Sequence, residues 1–123
     1  MTPIEPTEQT LAELERLPGE GPVVMLNLLR FKPGGGAKQY ARYAEAFKNI
    51  LAELGGRILF SGRGEMCVVG NETWHHVTLV EYPSPRAFAA MFRSARYREA
   101  HAFREAGLEQ TVLYALKPVV STF

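Results

Sequence analysis

A chain of 123 residues with 46% hydrophobic and 22% charged residues has the make-up of an ordinary globular domain and excludes a disordered or fibrous one. At this length it buries roughly two-thirds of its unfolded surface, enough for a core without staples. A net charge of +1 leaves no basic footprint for nucleic acid or for an anionic membrane. Cys67 is the only cysteine, so no internal disulfide can form.

Thr7 to Leu17 opens with acidic residues, sets Leu11, Leu14 and Leu17 at helical spacing and stops at Pro18-Gly19, which predicts a short amphipathic helix. Residues 1–20 read as a helical extension, and residues 21–123 as a single domain. Pro22 to Phe31 is an apolar run bounded by glycines and proline, a buried strand. From Ala37 to Leu54, Tyr40, Tyr43, Phe47, Ile50, Leu51 and Leu54 recur at three and four, and Gly55-Gly56 closes that helix. Arg57 to Val69 and Trp74 to Tyr82 read as strands around a turn at Gly70-Asn71-Glu72-Thr73. Ser84 and Pro85 start a helix to Arg93, a further helical stretch runs from about Ala95 to Ala106 and ends at Gly107, and Thr111 to Pro118 is the last strand. The acidic N-terminus lacks the apolar core of a secretory signal, and no apolar run is long enough to span a bilayer. The lone cysteine fits a reducing compartment, so a cytoplasmic protein without membrane or nucleic-acid partners is expected.

Strand, helix, strand, strand, helix, strand is the ferredoxin-like order: an α+β fold, βαββαβ, with a four-stranded antiparallel sheet and its helices on one face. Both faces of the strands are apolar. Val23, Met25, Leu29 and Phe31 alternate with Val24, Leu26 and Leu28, and Val112, Tyr114 and Leu116 with Leu113 and Ala115. On the third strand Trp74, Val80 and Tyr82 oppose Val77 and Leu79. One chain can cover only one face, and an uncovered apolar face exceeds what monomers usually expose. A symmetric homodimer, two sheets face to face, is therefore expected.

GPVVMLNLLRF, the helix with Tyr40 and Tyr43, GGRILFSG, the strand running into EYPSPRAF, and Ser94, Tyr97 and Arg104 together resemble the family called domain of unknown function 1330, of the dimeric α/β-barrel superfamily. The resemblance covers about residues 20 to 118, and LVEYPS is its most specific segment. It implies a dimeric α/β barrel, but its motifs are structural and attach no catalytic role to any residue. Relatives in that superfamily include cofactor-independent monooxygenases, haem-degrading enzymes and small isomerases, so the fold does not fix the function. Haem-degrading relatives pair an Asn on the first strand and a Trp on the third with a His on the next helix. Asn27 and Trp74 have such counterparts; the helix Ser84 to Arg93 has no His, which argues against haem oxygenation.

Several polar residues stand out in apolar surroundings. Asn27, mid-strand, must be hydrogen-bonded to backbone, to Glu81 or to a ligand. His75 and His76 point to opposite faces and cannot chelate one ion, so no metal and no cofactor are expected. If Val69 pairs with Trp74, Cys67 lies opposite His76, and Arg63, Cys67, His76 and Thr78 share a face. That face is the inner one of a dimer barrel if the helices cover Met66, Val77 and Leu79, and the polar group is then a pocket or a solvated strand end. Glu81 is a general base if it is tucked under the helices, or else an ion-pair partner of an arginine such as Arg104. Tyr97, His101 and Arg104 fall on one helix face and line a mouth that could hold a carboxylate, or form an ordinary helix edge. Two readings of function follow. The first is a small-molecule-binding enzyme, oxygenase or isomerase in type, with Glu81 or His76 as base and Asn27, Arg63, Trp74, Tyr97, His101 and Arg104 in the substrate site. The second is a non-catalytic dimeric binding or stress-associated module.

Overall fold

A computed structural model of the chain describes residues 3–119. The elements run α1 (Glu8–Glu15), β1 (Val23–Phe31), α2 (Gly36–Leu54), β2 (Arg57–Arg63), β3 (His76–Tyr82), α3 (Pro85–Arg93), α4 (Ala95–Gly107) and β4 (Leu108–Leu116). The four strands form one antiparallel sheet in the order β2-β3-β1-β4, the ferredoxin-like topology expected.

Local chemistry sets the helix ends. Thr7 and Ser84 accept hydrogen bonds from Thr10 N and Ala87 N, and Pro85 supplies the fixed φ of a first helical position. Gly55, at φ 90°, ends α2 in the left-handed conformation that costs glycine nothing. Ser94 serves two helices. Its extended backbone breaks α3 from α4, its amide bonds Met91 O, and its hydroxyl accepts from Tyr97 N at 3.2 Å. The bend lets α4 lie against α2, with Tyr97, His101 and Arg104 turned inward.

Gly107 is the last residue of α4 and lacks the positive φ of a capping glycine. It is glycine for a different reason: a Cβ there would meet Gly36 O at 2.6 Å and Tyr40 N at 2.9 Å. A Cβ on Gly36 would equally strike Gly107 O at 2.6 Å, so the start of α2 and the end of α4 touch backbone to backbone.

The hairpin differs from the sequence reading. β2 ends at Arg63, β3 begins at His76, and these two residues pair. Residues 64–75 leave the sheet as a loop, so Cys67 does not oppose His76, and Trp74 and Val69 are not partners. The apolar run misled because it resembles a strand, yet Met66, Val68 and Val69 are 77%, 83% and 92% exposed. Gly64 N closes the hairpin early on His75 O at 3.0 Å. His75 instead completes β1, donating its amide to Leu29 O at 2.8 Å and accepting from Phe31 N through Nδ1 at 2.9 Å.

The helices cover the face carrying Val23, Met25, Asn27 and Leu29 of β1 with their partners Tyr82, Val80, Thr78 and His76 of β3. Leu11 of α1 joins that core at 3% exposure. The opposite face presents Val24, Leu26, Leu28, Val77, Leu79, Val112, Tyr114 and Leu116, with no element of the described chain above it. The helices thus cover the side opposite Val77 and Leu79, which reverses the face assigned to Arg63, His76 and Thr78 from the sequence.

Candidate functional site

A cleft of ≈ 510 Å³ opens between α2 and the helix-facing side of β1, β2 and β3. Its walls are largely aromatic, with Tyr40, Tyr43 and Phe47 from α2 and Tyr82 from β3. Its polar groups come from the strands: Asn27, Ser61, Arg63, His76 and Thr78. The register explains their meeting, because Arg63 pairs with His76 and Ser61 with Thr78, which puts Ser61 diagonal to His76 on the same face.

Ser61 Oγ lies 2.7 Å from His76 Nε2. Partial burial, and then the Arg63 guanidinium, hold His76 below its ordinary value, so its ring is neutral at pH 7. With the proton on Nε2, the serine fixes the ring and leaves a lone pair on Nδ1. Asn27 is 8% exposed, and its amide donates to Met25 O at 3.2 Å. Glu81 is not its partner, because Glu81 lies on the opposite face. Burial raises Tyr40, with Arg104 opposing, and raises Tyr43 and Tyr82 well above the usual phenol range, so the aromatic wall stays protonated.

Behind that wall lies a second polar group. Tyr97 Oη is 3.1 Å from Tyr43 Oη and 3.3 Å from His101 Nδ1. Arg104, 4% exposed, donates to Ile4 O at 2.8 Å and sits 6.0 Å from the centre of the Tyr43 ring. No carboxylate among the described residues forms an ion pair with it. Burial and then Arg104 lower His101, with Glu5 opposing.

Of the residues singled out in the sequence, the cleft unites Asn27, Arg63 and His76. Tyr97, His101 and Arg104 lie buried behind it, so they form neither a mouth nor a solvated helix edge. Glu81 is on the far face, where Arg57 Nε binds its carboxylate at 3.0 Å; it is neither under the helices nor paired with Arg104. Trp74 sits in the loop, bonded to Glu72 and stacked under Arg30 at 4.6 Å, outside the cleft. Ser61 was missed, and the correct register would have found it. A second cavity of ≈ 380 Å³ lies between the N-terminal segment, α1 and the sheet. Its walls are mainly aliphatic, and the one ionisable group that the described residues bring to it, Glu5, is held by Arg98.

Residues 36–116 match the family described as Domain of unknown function (DUF1330). A protein of unknown function from Rhodopseudomonas palustris has a similar structure, with TM-score 0.91 and 36% identity over 98% of this chain and 100% of that one. A dimeric ferredoxin-like protein of unknown function from Jannaschia gives 0.66 at 14% identity, covering 80% and 100%. A proposed antibiotic biosynthesis monooxygenase from Caulobacter crescentus gives 0.57 at 15% identity, covering 82% and 92%. The last two show the fold alone. No curated protein matches the chain. No helix among the described residues is long and apolar enough to cross a membrane.

Proposed function

We propose, for a chain that belongs to the domain of unknown function 1330 family, a role as a small-molecule enzyme that needs no cofactor and moves a proton on an activated carbon acid. The observation that carries this reading is the Ser61–His76 pair at the polar end of an otherwise aromatic cleft. A neutral imidazole beside a cation is suited to general-base work near pH 7. His76 takes a proton from a C–H next to a carbonyl, the electron pair moves onto the carbonyl oxygen, and Arg63 with the Asn27 amide stabilises the oxyanion. The imidazolium then returns the proton at another carbon. An oxygenase would instead pass the carbanion's electrons to dioxygen, and the Caulobacter neighbour keeps that variant in view. Arg104 behind Tyr43 adds a positive field that favours an acidic ligand.

The same reading includes a homodimer. The open sheet face is apolar, with Phe60 and Tyr114 55% and 63% exposed, and a second copy laid across it would supply the missing cover. The dimeric Jannaschia neighbour supports this arrangement. Paired Tyr114→Asp and Leu26→Asp substitutions are expected to yield monomers in light scattering.

A thermal-shift screen with organic acids, phenols and quinols tests the cleft. Stabilising ligands should lose their effect in Phe47→Trp, which fills the site. His76→Gln should keep the fold and lose turnover of any substrate so found; equal turnover would sink the base assignment. A non-catalytic module is favoured only at Tyr97, His101 and Arg104, away from the cleft, where Tyr97 bonds Tyr43 and His101 and Arg104 bonds the Ile4 carbonyl.

A further inference from the structure

We propose that the N-terminal segment and α4 together form a site for a divalent transition-metal cation, with Zn²⁺ the best fit, held by His101 Nε2 and the carboxylates of Glu5 and Glu105. The three ligand atoms lie within 4.8 Å of one another. His101 and Glu105 are one turn apart on α4, hence on one face, and Glu5 arrives from the extended stretch before α1.

Two carboxylates near a surface mean little by themselves. The independent sign is the histidine. His101 is 2% exposed, and its Nε2 has no hydrogen-bond partner among the described residues, although Glu5 Oε2 is only 3.0 Å away. The carboxylate is near but off the axis a hydrogen bond requires. Ligands of one cation have that relation: with metal bonds of about 2.0–2.2 Å, neighbouring donor atoms stand roughly 3 Å apart and aim at a third point.

The other ring nitrogen agrees. Nδ1 faces Tyr97 Oη at 3.3 Å. Metal-bound histidines commonly donate their second N–H to such a fixed acceptor. That tautomer leaves a lone pair on Nε2 facing a carboxylate, and two electron-rich groups so placed call for a cation between them. An imidazole with two carboxylates suits Zn²⁺ better than Mg²⁺ or Ca²⁺, which prefer all-oxygen shells. Arg98 binds the same Glu5 oxygen at 3.2 Å. It orients the carboxylate and, with Arg104 behind, sets a repulsion that the two acidic ligands must outweigh. Sequence spacing gave no hint of this site, because the visible candidates were His75, His76 and Cys67, and the ligands come from opposite ends of the chain.

Occupancy would clamp the segment whose Ile4 carbonyl receives Arg104 and whose Pro3 to Thr7 stretch walls the ≈ 380 Å³ cavity. The test is calorimetric titration of chelator-treated full-length protein with Zn²⁺, together with Co²⁺ absorption and thermal shift. One saturable Zn²⁺ per chain, visible Co²⁺ bands and a raised Tm, none of them produced by equal Mg²⁺, are expected. Glu105 is exposed and pairs with no cation among the described residues, so Glu105→Gln should fold normally and weaken Zn²⁺ by at least about tenfold. His101→Gln should do the same and quench the Co²⁺ bands. Absence of saturable binding would overturn the proposal and leave the His101–Glu5 contact as an ion pair. Unchanged affinity in Glu105→Gln would also overturn it, by placing the metal elsewhere.

Discussion

His76 and His101 each face a hydroxyl, Ser61 Oγ at 2.7 Å and Tyr97 Oη at 3.3 Å, and each is held below its ordinary pKa by burial first and an arginine second. They differ in what else can reach them. His76 is half-buried on a strand, open to the cleft, with no carboxylate among the described residues paired to it. His101 is sealed between α4 and the N-terminal segment, with Glu5 at hand. The same ingredients can therefore meet a passing molecule in one place and tie two segments together in the other. Accessibility, more than residue type, separates the two uses.

The sharpest way to break this contrast is to swap the losses. His76→Gln is expected to cost a substrate found by the screen about 10²–10⁴ in turnover and to leave thermal unfolding almost unchanged. His101→Ala should do the reverse, lowering stability by about 1–3 kcal/mol as the Tyr97 hydroxyl loses one of its two partners, with turnover nearly intact. Chemical denaturation beside a turnover assay reads both. If His101→Ala abolished turnover at full occupancy of folded protein, the division of labour would be wrong.

A smaller effect sharpens the comparison. Ser94→Ala removes the α4 cap and should cost about 0.5–2 kcal/mol. Hydrogen exchange should quicken along Ala95–Gly107 and stay unchanged in β2 and β3.

The smallest expected effect concerns pH. A histidine whose pKa is lower folded than unfolded binds fewer protons in the native state. Its contribution to stability is complete above the unfolded value of 6.5 and is lost as pH falls through the lower folded value. Turnover relying on neutral His76 should follow the folded value, placing its acid limb below pH 6.5. Tyr40, Tyr43 and Tyr82 around it stay neutral there, which leaves Arg63 as the charged neighbour. Arg63→Gln should move that limb upward, by less than burial contributes. A limb above 6.5 in the wild-type chain would exclude His76 as the base.

Element order was legible because local signals agreed: the apolar run of β1, the aromatic period of α2, the Gly55 cap and the Ser84-Pro85 start all act within a few residues. The facing of the sheet was not. With Val24, Leu26 and Leu28 as apolar as Val23, Met25 and Leu29, alternation cannot say which set lies under the helices. That ambiguity misplaced Glu81, and the early closure at Gly64 and His75 misplaced Cys67 and Trp74. Asn27, Arg63 and His76 could be picked out as polar residues in apolar strands, but their meeting depends on pairing register. The Glu5–His101–Glu105 group depends on tertiary docking of the N-terminal segment, for which local sequence holds no signal.

Where Gly36 and Gly107 meet, neither can accept even a methyl group, so two helix tips are bolted together and Ala37 and Tyr40, which line that end of the cleft, are fixed with them. The other end is bounded by β2, an edge strand with a neighbour on one side only. Breathing is thus confined to that edge, while His75, stacked on Phe31 beside Tyr40, anchors the loop of residues 64–75 at the fixed end.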